Sequence, residues 1–196
     1  MGFRQKLVVG VVLVLACGFA ASAAQAAAPE GETYYTTANI WYEDAEKPIS
    51  VNYHKGTMIP AGTKVKIDLC KKDKIKFTTE SGVTLVFLNS SKYSTIKLPE
   101  LFDRYFSKDN PTGGLNIFFS KFNAKEKENI KKGTIAEGMS KEAVLMAYGY
   151  PPSHRTPDLK SDTWAYWDNR FVSFRAVFKD NRLIAIEHSA PKKEKE

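Results

Sequence analysis

The segment from Gly138 to Pro152, GMSKEAVLMAYGYPP, constrains the fold of this chain more than any other stretch. It carries the signals for both ends of one short helix. Ser140 is a typical N-cap residue, and Gly149 stands where a helix needs a left-handed residue at its C-terminal end. Pro151 lies just beyond and prevents the helix from continuing. The segment therefore predicts a helix that begins after Ser140 and ends before Gly149.

The residues inside this helix predict how it packs. Its apolar surface extends round more than one side and consists of Ala143, Val144, Leu145, Met146, Ala147 and Tyr148. A helix with so wide an apolar surface is usually buried on more than one side.

A second helix is predicted directly before this one. Asn123 is a suitable N-cap, and Glu126, three residues later, completes a capping box. The helix is expected to end at Gly133, after Lys131 and Lys132, whose charges suit the negative end of the helix dipole.

Three short strands are predicted after the helices. The first is Trp164 to Trp167, and in the second Val172 to Phe178 alternates apolar with polar residues. Asp180-Asn181 is a two-residue turn of residues that tolerate positive φ, and Leu183 to Ile186 closes the sheet. The C-terminal part is thus predicted to have the order ααβββ, with a three-stranded antiparallel sheet.

These motifs resemble the signature of the BamE (SmpA/OmlA) family, GMT-x-x-x-V-x-x-x-L-G-x-P followed by T-W-x-Y and a closing F…G-x-L-x-x-I. The resemblance covers about residues 123 to 188. The residues that carry the first motif are Gly138, Met139, Ser140, Val144, Gly149 and Pro151, and Thr163, Trp164, Tyr166 and Phe178 match the later strands. The chain departs from the pattern at Tyr148, where the family has Leu, and at Asn181-Arg182, where a Gly-containing turn is usual.

The resemblance implies two helices packed on a three-stranded antiparallel sheet. The best-known members of the family are small outer-membrane lipoproteins of the machine that inserts β-barrel proteins. They are not enzymes, and they bind partner proteins and anionic phospholipid. Their domain follows a short lipidated lead, whereas here it follows a long β-rich segment.

That preceding segment predicts an N-terminal β-rich module over residues 34–107, giving an α+β fold overall. The module is expected to be a small antiparallel barrel or curled sheet, and the phrase IPAGTKVKI resembles a strand entry of SH3-like barrels. Predicted strands are Tyr34 to Trp41, Ser50 to His54, Lys64 to Leu69, Lys74 to Thr79 and Val83 to Phe87, followed by a helix from Pro99 to Ser107. The boundary between the modules is predicted at residues 108–122, with Leu115 to Phe122 ambiguous between a strand and a buried loop. The BamE-like domain is predicted over residues 123–189, and a charged, disordered tail over residues 190–196.

Residues 1–26 have the features of an export signal. Arg4 and Lys6 precede an apolar run that is too short to span a bilayer, which needs about 20 residues, and Ala24-Gln25-Ala26 fits the A-x-A cleavage pattern. Alternatively, the segment ending in Cys17 is a lipobox whose cysteine carries a lipid anchor, or the run is an uncleaved membrane anchor. The expected location is the periplasm or the periplasmic face of the outer membrane.

Composition and motifs argue against most enzyme classes. The chain has no G-x-S-x-G, H-E-x-x-H or phosphate loop, and His54, His154 and His188 lack the spacing of metal ligands. Cys70 is expected to pack as a small apolar side chain, with a free thiol as the alternative. We therefore expect no catalytic residue, no cofactor and no metal.

The chain is basic, and loss of the export signal lowers its net charge from +7 to +5. A basic exported protein is expected to bind acidic protein surfaces, anionic glycan or anionic phospholipid rather than nucleic acid. Alternatively, the positive charge serves solubility alone.

The predicted function is that of a non-enzymatic protein-interaction module of the bacterial cell envelope, in outer-membrane protein assembly or envelope integrity. The alternative is a periplasmic module that binds a peptidoglycan fragment or anionic lipid. Aromatic residues and basic loop residues are the candidates for contact with envelope proteins, because aromatic side chains and Arg dominate binding energy at interfaces. These candidates are Trp164, Tyr166, Trp167, Arg155 and Lys160.

Overall fold

The computed structural model describes residues 29–113, 117–169 and 171–188, without the side chains of residues 117 and 118. The predicted export signal with Cys17 and the charged tail lie outside these residues. The fold is α+β, with an N-terminal strand-rich part and a C-terminal part of helices and a three-stranded antiparallel sheet. Two clusters of buried apolar residues form separate cores, and the chain passes from one to the other between Phe106 and Phe122. The predicted boundary range lies between these two residues.

The described residues of the N-terminal part form seven strands and one helix, which are β1 (Thr33–Thr36), β2 (Ile40–Tyr42), β3 (Thr57–Ile59), β4 (Lys64–Lys71), β5 (Lys74–Thr79), β6 (Thr84–Leu88), α1 (Leu98–Tyr105) and β7 (Phe106–Ser107). Five of the strands form an antiparallel sheet in the order β6-β5-β4-β1-β7, and β2 pairs with β3 separately. The strands predicted from Lys64 to Leu69, from Lys74 to Thr79 and from Val83 to Phe87 are confirmed as β4, β5 and β6. Their inward residues Val65, Ile67, Phe77 and Leu85 are buried, while the lysines between the buried residues of β4 and β5 face solvent.

Two strand predictions in this part are wrong. The stretch from Tyr34 to Trp41 is two strands in two sheets, because Thr37 and Asn39 turn away to donate backbone hydrogen bonds to Tyr105 (3.0 Å) and Met146 (2.9 Å). The stretch from Ser50 to His54 is an irregular loop. The predicted helix is present as α1 but ends at Tyr105, since Phe106 continues as β7 beside β1.

The elements of the C-terminal part are α2 (Ile117–Ser120), α3 (Ala124–Lys132), α4 (Lys141–Tyr148), β8 (Thr163–Trp167), β9 (Ser173–Lys179) and β10 (Arg182–His188). Helices α3 and α4 lie on one face of the sheet, whose strand order is β10-β9-β8. The described part of the ambiguous segment Leu115 to Phe122 contains helix α2, neither strand nor simple loop. The predicted meander is confirmed, and Asp180 and Asn181 both have positive φ in the tight turn between β9 and β10.

The predicted caps are confirmed with one difference. Asn123 and Glu126 form the capping box of α3, Gly133 is left-handed with φ 68°, and Ser140 caps α4 by accepting from the Ala143 N–H. Gly149 has positive φ, 82°, but a ψ of −176°, which is a conformation that essentially only glycine adopts and is not left-handed helical. A side chain there would also collide with the Asn52 amide, which explains the glycine on two grounds.

The Glu126 carboxylate joins three elements of this part. It accepts hydrogen bonds from the backbone N–H groups of Asn123 (3.0 Å) and Ser140 (2.8 Å), and it pairs with Arg182 of β10 (2.9 Å). Burial by itself would raise the pKa of Glu126, but these hydrogen bonds and the Arg182 charge hold the pKa below its usual value. The carboxylate form therefore stabilises the packing of α3 against α4 and β10.

Replacing Glu126 with glutamine is expected to lower the free energy of unfolding by about 2 kcal/mol, because the amide NH₂ cannot accept from a backbone N–H. Urea denaturation at pH 7 measures this. The pKa of Glu126 is lower in the folded state than in the unfolded state, where it is near 4.5. The ionised carboxylate therefore stabilises the folded state fully above pH 4.5, and this stabilisation is lost as the pH falls below that value. Glu128→Gln, on the exposed face of the same helix, is the control and should have almost no effect. Equal effects of the two variants would show that the buried contacts add nothing.

A junction of helix ends and a surface aromatic cluster

The N-terminal part supplies the caps for the C-terminal end of α4. The last four carbonyls of a helix lack partners within it. Only the Leu145 carbonyl is satisfied locally, by the Gly149 N–H at 2.8 Å. The other three accept from the N-terminal part. Met146 accepts from the Asn39 N–H (2.9 Å), Ala147 from the Asn39 amide (3.0 Å), and Tyr148 from Asn52 (3.4 Å) and His54 (2.9 Å).

Asn39 is the centre of this junction and is 1% exposed. Its side-chain NH₂ donates to the carbonyl of Ile130 at the end of α3 (2.7 Å) as well as to that of Ala147. Its side-chain oxygen accepts from the Ala61 N–H at 2.7 Å. One buried side chain therefore joins both helices to the loop before β4.

His54 bonds to the same helix end as Asn39 and is enclosed by aromatic rings. Its imidazole stacks on the Tyr148 ring, with 13° between the planes, and lies 5.1 Å from the Trp41 ring centre. Burial lowers the pKa of His54 to about 4, although its hydrogen bonds to the Tyr148 and Gly133 backbone and the charge of Asp168 act in the opposite direction. His54 is therefore neutral at pH 7 and serves as a hydrogen-bond donor to a helix end.

Tyrosine hydroxyls complete the junction. The Tyr148 hydroxyl donates to Asp168, the Tyr166 hydroxyl donates to the Gly149 carbonyl at 3.0 Å, and Tyr105 accepts from the Tyr150 N–H at 3.2 Å. Burial raises the pKa of Tyr105, Tyr148 and Tyr166 well above the usual value. These hydroxyls therefore remain protonated and act as structural hydrogen-bonding groups.

Next to the junction, four aromatic side chains form a cluster at the surface, which we call the Trp167 cluster. It consists of Tyr53, Tyr93, His154 and Trp167. The Trp167 ring centre lies 6.1 Å from Tyr53, 5.5 Å from Tyr93 and 5.4 Å from His154. Two cations lie over its rings, Arg155 at 5.8 Å from Trp167 and Lys92 at 5.2 Å from Tyr93.

Two loops hold the cluster in place. The His154 ring nitrogen Nδ1 lies 2.8 Å from the Tyr93 carbonyl, and the Thr95 N–H donates to the Ser153 hydroxyl at 2.8 Å. Thr156 is 2% exposed and accepts from the Ala165 N–H of β8 at 2.9 Å. Because Ser153 and Thr156 are buried, the residues between them, His154 and Arg155, are directed outward. The cluster thus combines residues from both parts of the chain.

The structure separates the five candidate contact residues. Trp164 and Tyr166 are 1% and 3% exposed and belong to the core under α4, so their prediction as contact residues is wrong. Trp167 faces the other way, as strand alternation requires, and remains half-buried at the surface. Arg155 joins it, whereas Lys160 is exposed at the other end of its loop, where its carbonyl accepts from the Lys141 ammonium.

Sequence reasoning missed Tyr53, Tyr93 and the structural roles of Asn39, Asn52 and His54. Each lies outside a periodic pattern, and each finds its partner far along the chain. His154 lacks the spacing of a metal ligand, and no other feature of the sequence placed it in an aromatic cluster. Among the described residues, no group of three or more His, Cys, Asp and Glu side chains is placed to hold a metal ion. Cys70 is half-buried against the N-terminal core and unpaired, and burial raises the pKa of its thiol.

No helix in the described ranges is both long enough and apolar enough to cross a membrane.

We compared the chain with protein families, curated protein sequences and solved structures. None of them gives a significant match to this chain.

Proposed function

We propose that this chain is an exported cell-envelope protein that acts as a non-enzymatic protein-interaction module, with the Trp167 cluster as its contact surface. The observation that carries the proposal is the meeting of aromatic rings and cations from both parts of the chain at one surface site. Aromatic side chains and Arg supply most binding energy at protein interfaces.

The charges at the cluster indicate the chemistry of the partner. Lys92 and Arg155 are exposed, and neither forms an ion pair with a carboxylate of the residues that the structure describes. A partner that carries Asp or Glu next to an apolar or aromatic side chain would pair with both features. We therefore propose an acidic segment of another envelope protein, rather than a nucleic acid, as the ligand of this surface.

The finer assignment of the fold belongs to the same proposal. The element order α3, α4, β8, β9, β10, with both helices on one face of the sheet, supports a BamE-like C-terminal domain. The short antiparallel strands of the N-terminal part support a barrel-like, SH3-like module. A role in outer-membrane protein assembly or envelope integrity follows from the first of these assignments and is proposed with it.

The test is photo-crosslinking in the bacterium that produces the protein, with p-benzoylphenylalanine placed at Trp167 of the full chain. We expect one discrete protein adduct, which disappears when Arg155→Glu is added. Placement at Lys66, an exposed residue in the middle of β4, is the control and should give no adduct. The partner is then purified, and Trp167→Ala should weaken its binding about tenfold or more.

Two results would contradict the proposal. One is an adduct that forms equally from Lys66 and Trp167. The other is cosedimentation of the purified protein with phosphatidylglycerol vesicles or with peptidoglycan sacculi that depends on Trp167, in the absence of any protein adduct. The second result would assign the cluster to lipid or glycan instead of protein.

A further inference from the structure

A concave site lies in the N-terminal part, between the end of β2 and the loop from Glu43 to Lys55. It is a groove of about 530 Å³, which we call the β2 groove. This volume lies within the range of about 300–1,000 Å³ that is usual for small-ligand sites. Of the residues that line this groove, only Tyr53 and Tyr93 also belong to the Trp167 cluster.

The loop that forms the β2 groove is fixed at several points. The Asn52 side chain accepts from the Trp41 N–H at 2.8 Å, close to the start of the groove. Ile49 exchanges backbone hydrogen bonds with Val86 (2.8 Å) and Leu88 (2.9 Å) at the edge of β6. Gly56, with φ 84°, lets the chain pass against the Tyr42 carbonyl, where a side chain would collide. A ligand would therefore meet a largely preformed groove, which reduces the entropy lost on binding.

The walls of the β2 groove are aromatic. Four half-buried aromatic side chains line it, Trp41, Tyr42, Tyr53 and Tyr93. Aromatic rings offer flat apolar faces, and the Tyr hydroxyls add polar groups at their ends. The C–H face of a hexopyranose ring is flat and apolar in the same way, with hydroxyl groups round its rim.

The charges of the β2 groove cancel in pairs. Lys55 pairs with Glu43 at 2.9 Å, and Lys47 pairs with Asp44 at 3.0 Å. Two acidic and two basic side chains thus provide donors and acceptors without a net field. A charged phospholipid headgroup or a strongly acidic peptide would gain little from such a surface, whereas the hydroxyl groups of a neutral sugar can bond to both signs of charge.

We propose that the β2 groove is a binding site for a neutral oligosaccharide, with sugar rings stacked on the aromatic walls and their hydroxyls bonded to the paired charges. Tyr42 and Asp44 belong to the β2 groove and lie outside the Trp167 cluster. The saccharide site can therefore be tested separately from the proposed protein contact, although Tyr53 and Tyr93 belong to both.

The test is titration of the full mature chain, labelled with ¹⁵N, with N,N′,N″-triacetylchitotriose. The chain has three tryptophans, and the indole N–H signal of Trp41 should shift saturably while that of the core residue Trp164 stays in place. We expect a dissociation constant of about 1 mM or tighter, weakened about tenfold by Tyr42→Ala. Asp44→Asn, in an exposed pair, should weaken binding without disturbing the core. Tyr35→Ala is the matched control, because Tyr35 is also half-buried on a strand but does not line the groove.

Three outcomes would overturn the saccharide site. The first is that the Trp41 signal shows no saturable shift up to about 10 mM sugar. The second is that the wild type, Tyr42→Ala and Asp44→Asn bind chitotriose with equal affinity, and the third is that an acidic peptide binds more tightly than chitotriose at the Trp41 signal. Trp167→Ala should change the chitotriose affinity less than about twofold. Loss of partner binding in that variant with intact sugar binding would therefore separate the two proposals.

Discussion

Replacing Asn39 with alanine is expected to lower the free energy of unfolding by about 4 kcal/mol, enough to unfold a marginal domain. The substitution removes three buried side-chain hydrogen bonds at once. The carbonyls of Ile130 and Ala147 and the N–H of Ala61 would lose their side-chain partner at a site that is 1% exposed. Each buried polar group left without a partner costs about 1–3 kcal/mol, and Ile130 keeps the local N–H of Gly133.

The measurement is urea denaturation of the wild type, Asn39→Ala and Asn39→Asp, followed by both tryptophan fluorescence and far-UV circular dichroism. Asn39→Asp keeps the shape and the acceptor for Ala61 but loses both donors, so it should also be strongly destabilised. Asn129→Ala is the matched control, since that side chain bonds within and just beyond α3, and we expect a change of about 0.5 kcal/mol or less. A loss below about 1.5 kcal/mol for Asn39→Ala would show that solvent readily replaces these caps.

The contrast between Asn39 and Asn123 shows what could be predicted from the sequence. The partner of Asn123 is three residues away, so the capping box is visible in a short stretch of sequence, and it is confirmed. The two carbonyls that accept from the Asn39 side chain lie 91 and 108 residues away, and nothing near Asn39 identifies them. Aromatic and Thr residues from Tyr34 to Trp41 favour a strand, but the backbone bonds that Thr37 and Asn39 make with distant residues override that preference.

The candidate site was predictable only in part for the same reason. Alternation along β8 places Trp167 on the opposite face from Trp164 and Tyr166. Alternation cannot tell which face the helices cover, so two core residues were predicted as contacts. The ring partners of Trp167 come from irregular loops whose placement depends on tertiary contacts, such as that between His154 and the Tyr93 carbonyl. Long-range order of this kind leaves no periodic signal in the sequence.

The second large effect expected is a pH dependence set by His54. Its ordinary pKa is near 6.5, and burial lowers the folded-state pKa to about 4. The unfolded state therefore binds a proton between these two values while the folded state does not. Stability from the neutral imidazole is fully present above pH 6.5 and declines as pH falls toward 4. The total loss is about 3 kcal/mol, at about 1.4 kcal/mol per pH unit.

Urea denaturation at pH 7 and pH 5 tests this, since both pH values lie above the ordinary pKa values of Asp, 3.8, and Glu, 4.5. We expect the wild type to be about 2 kcal/mol less stable at pH 5 than at pH 7. His54→Gln keeps a donor for the Tyr148 carbonyl but does not titrate, so its stability should be nearly the same at both pH values. His188→Gln, on the exposed end of β10, should behave as the wild type. If His54→Gln kept the full pH dependence, proton binding at the helix junction would not be its cause. We expect stability to be independent of pH in His54→Gln but not in the wild type or His188→Gln. That result would show that the junction between the two parts of the chain weakens when the His54 imidazole, which lies between two helix ends and two aromatic rings, becomes charged.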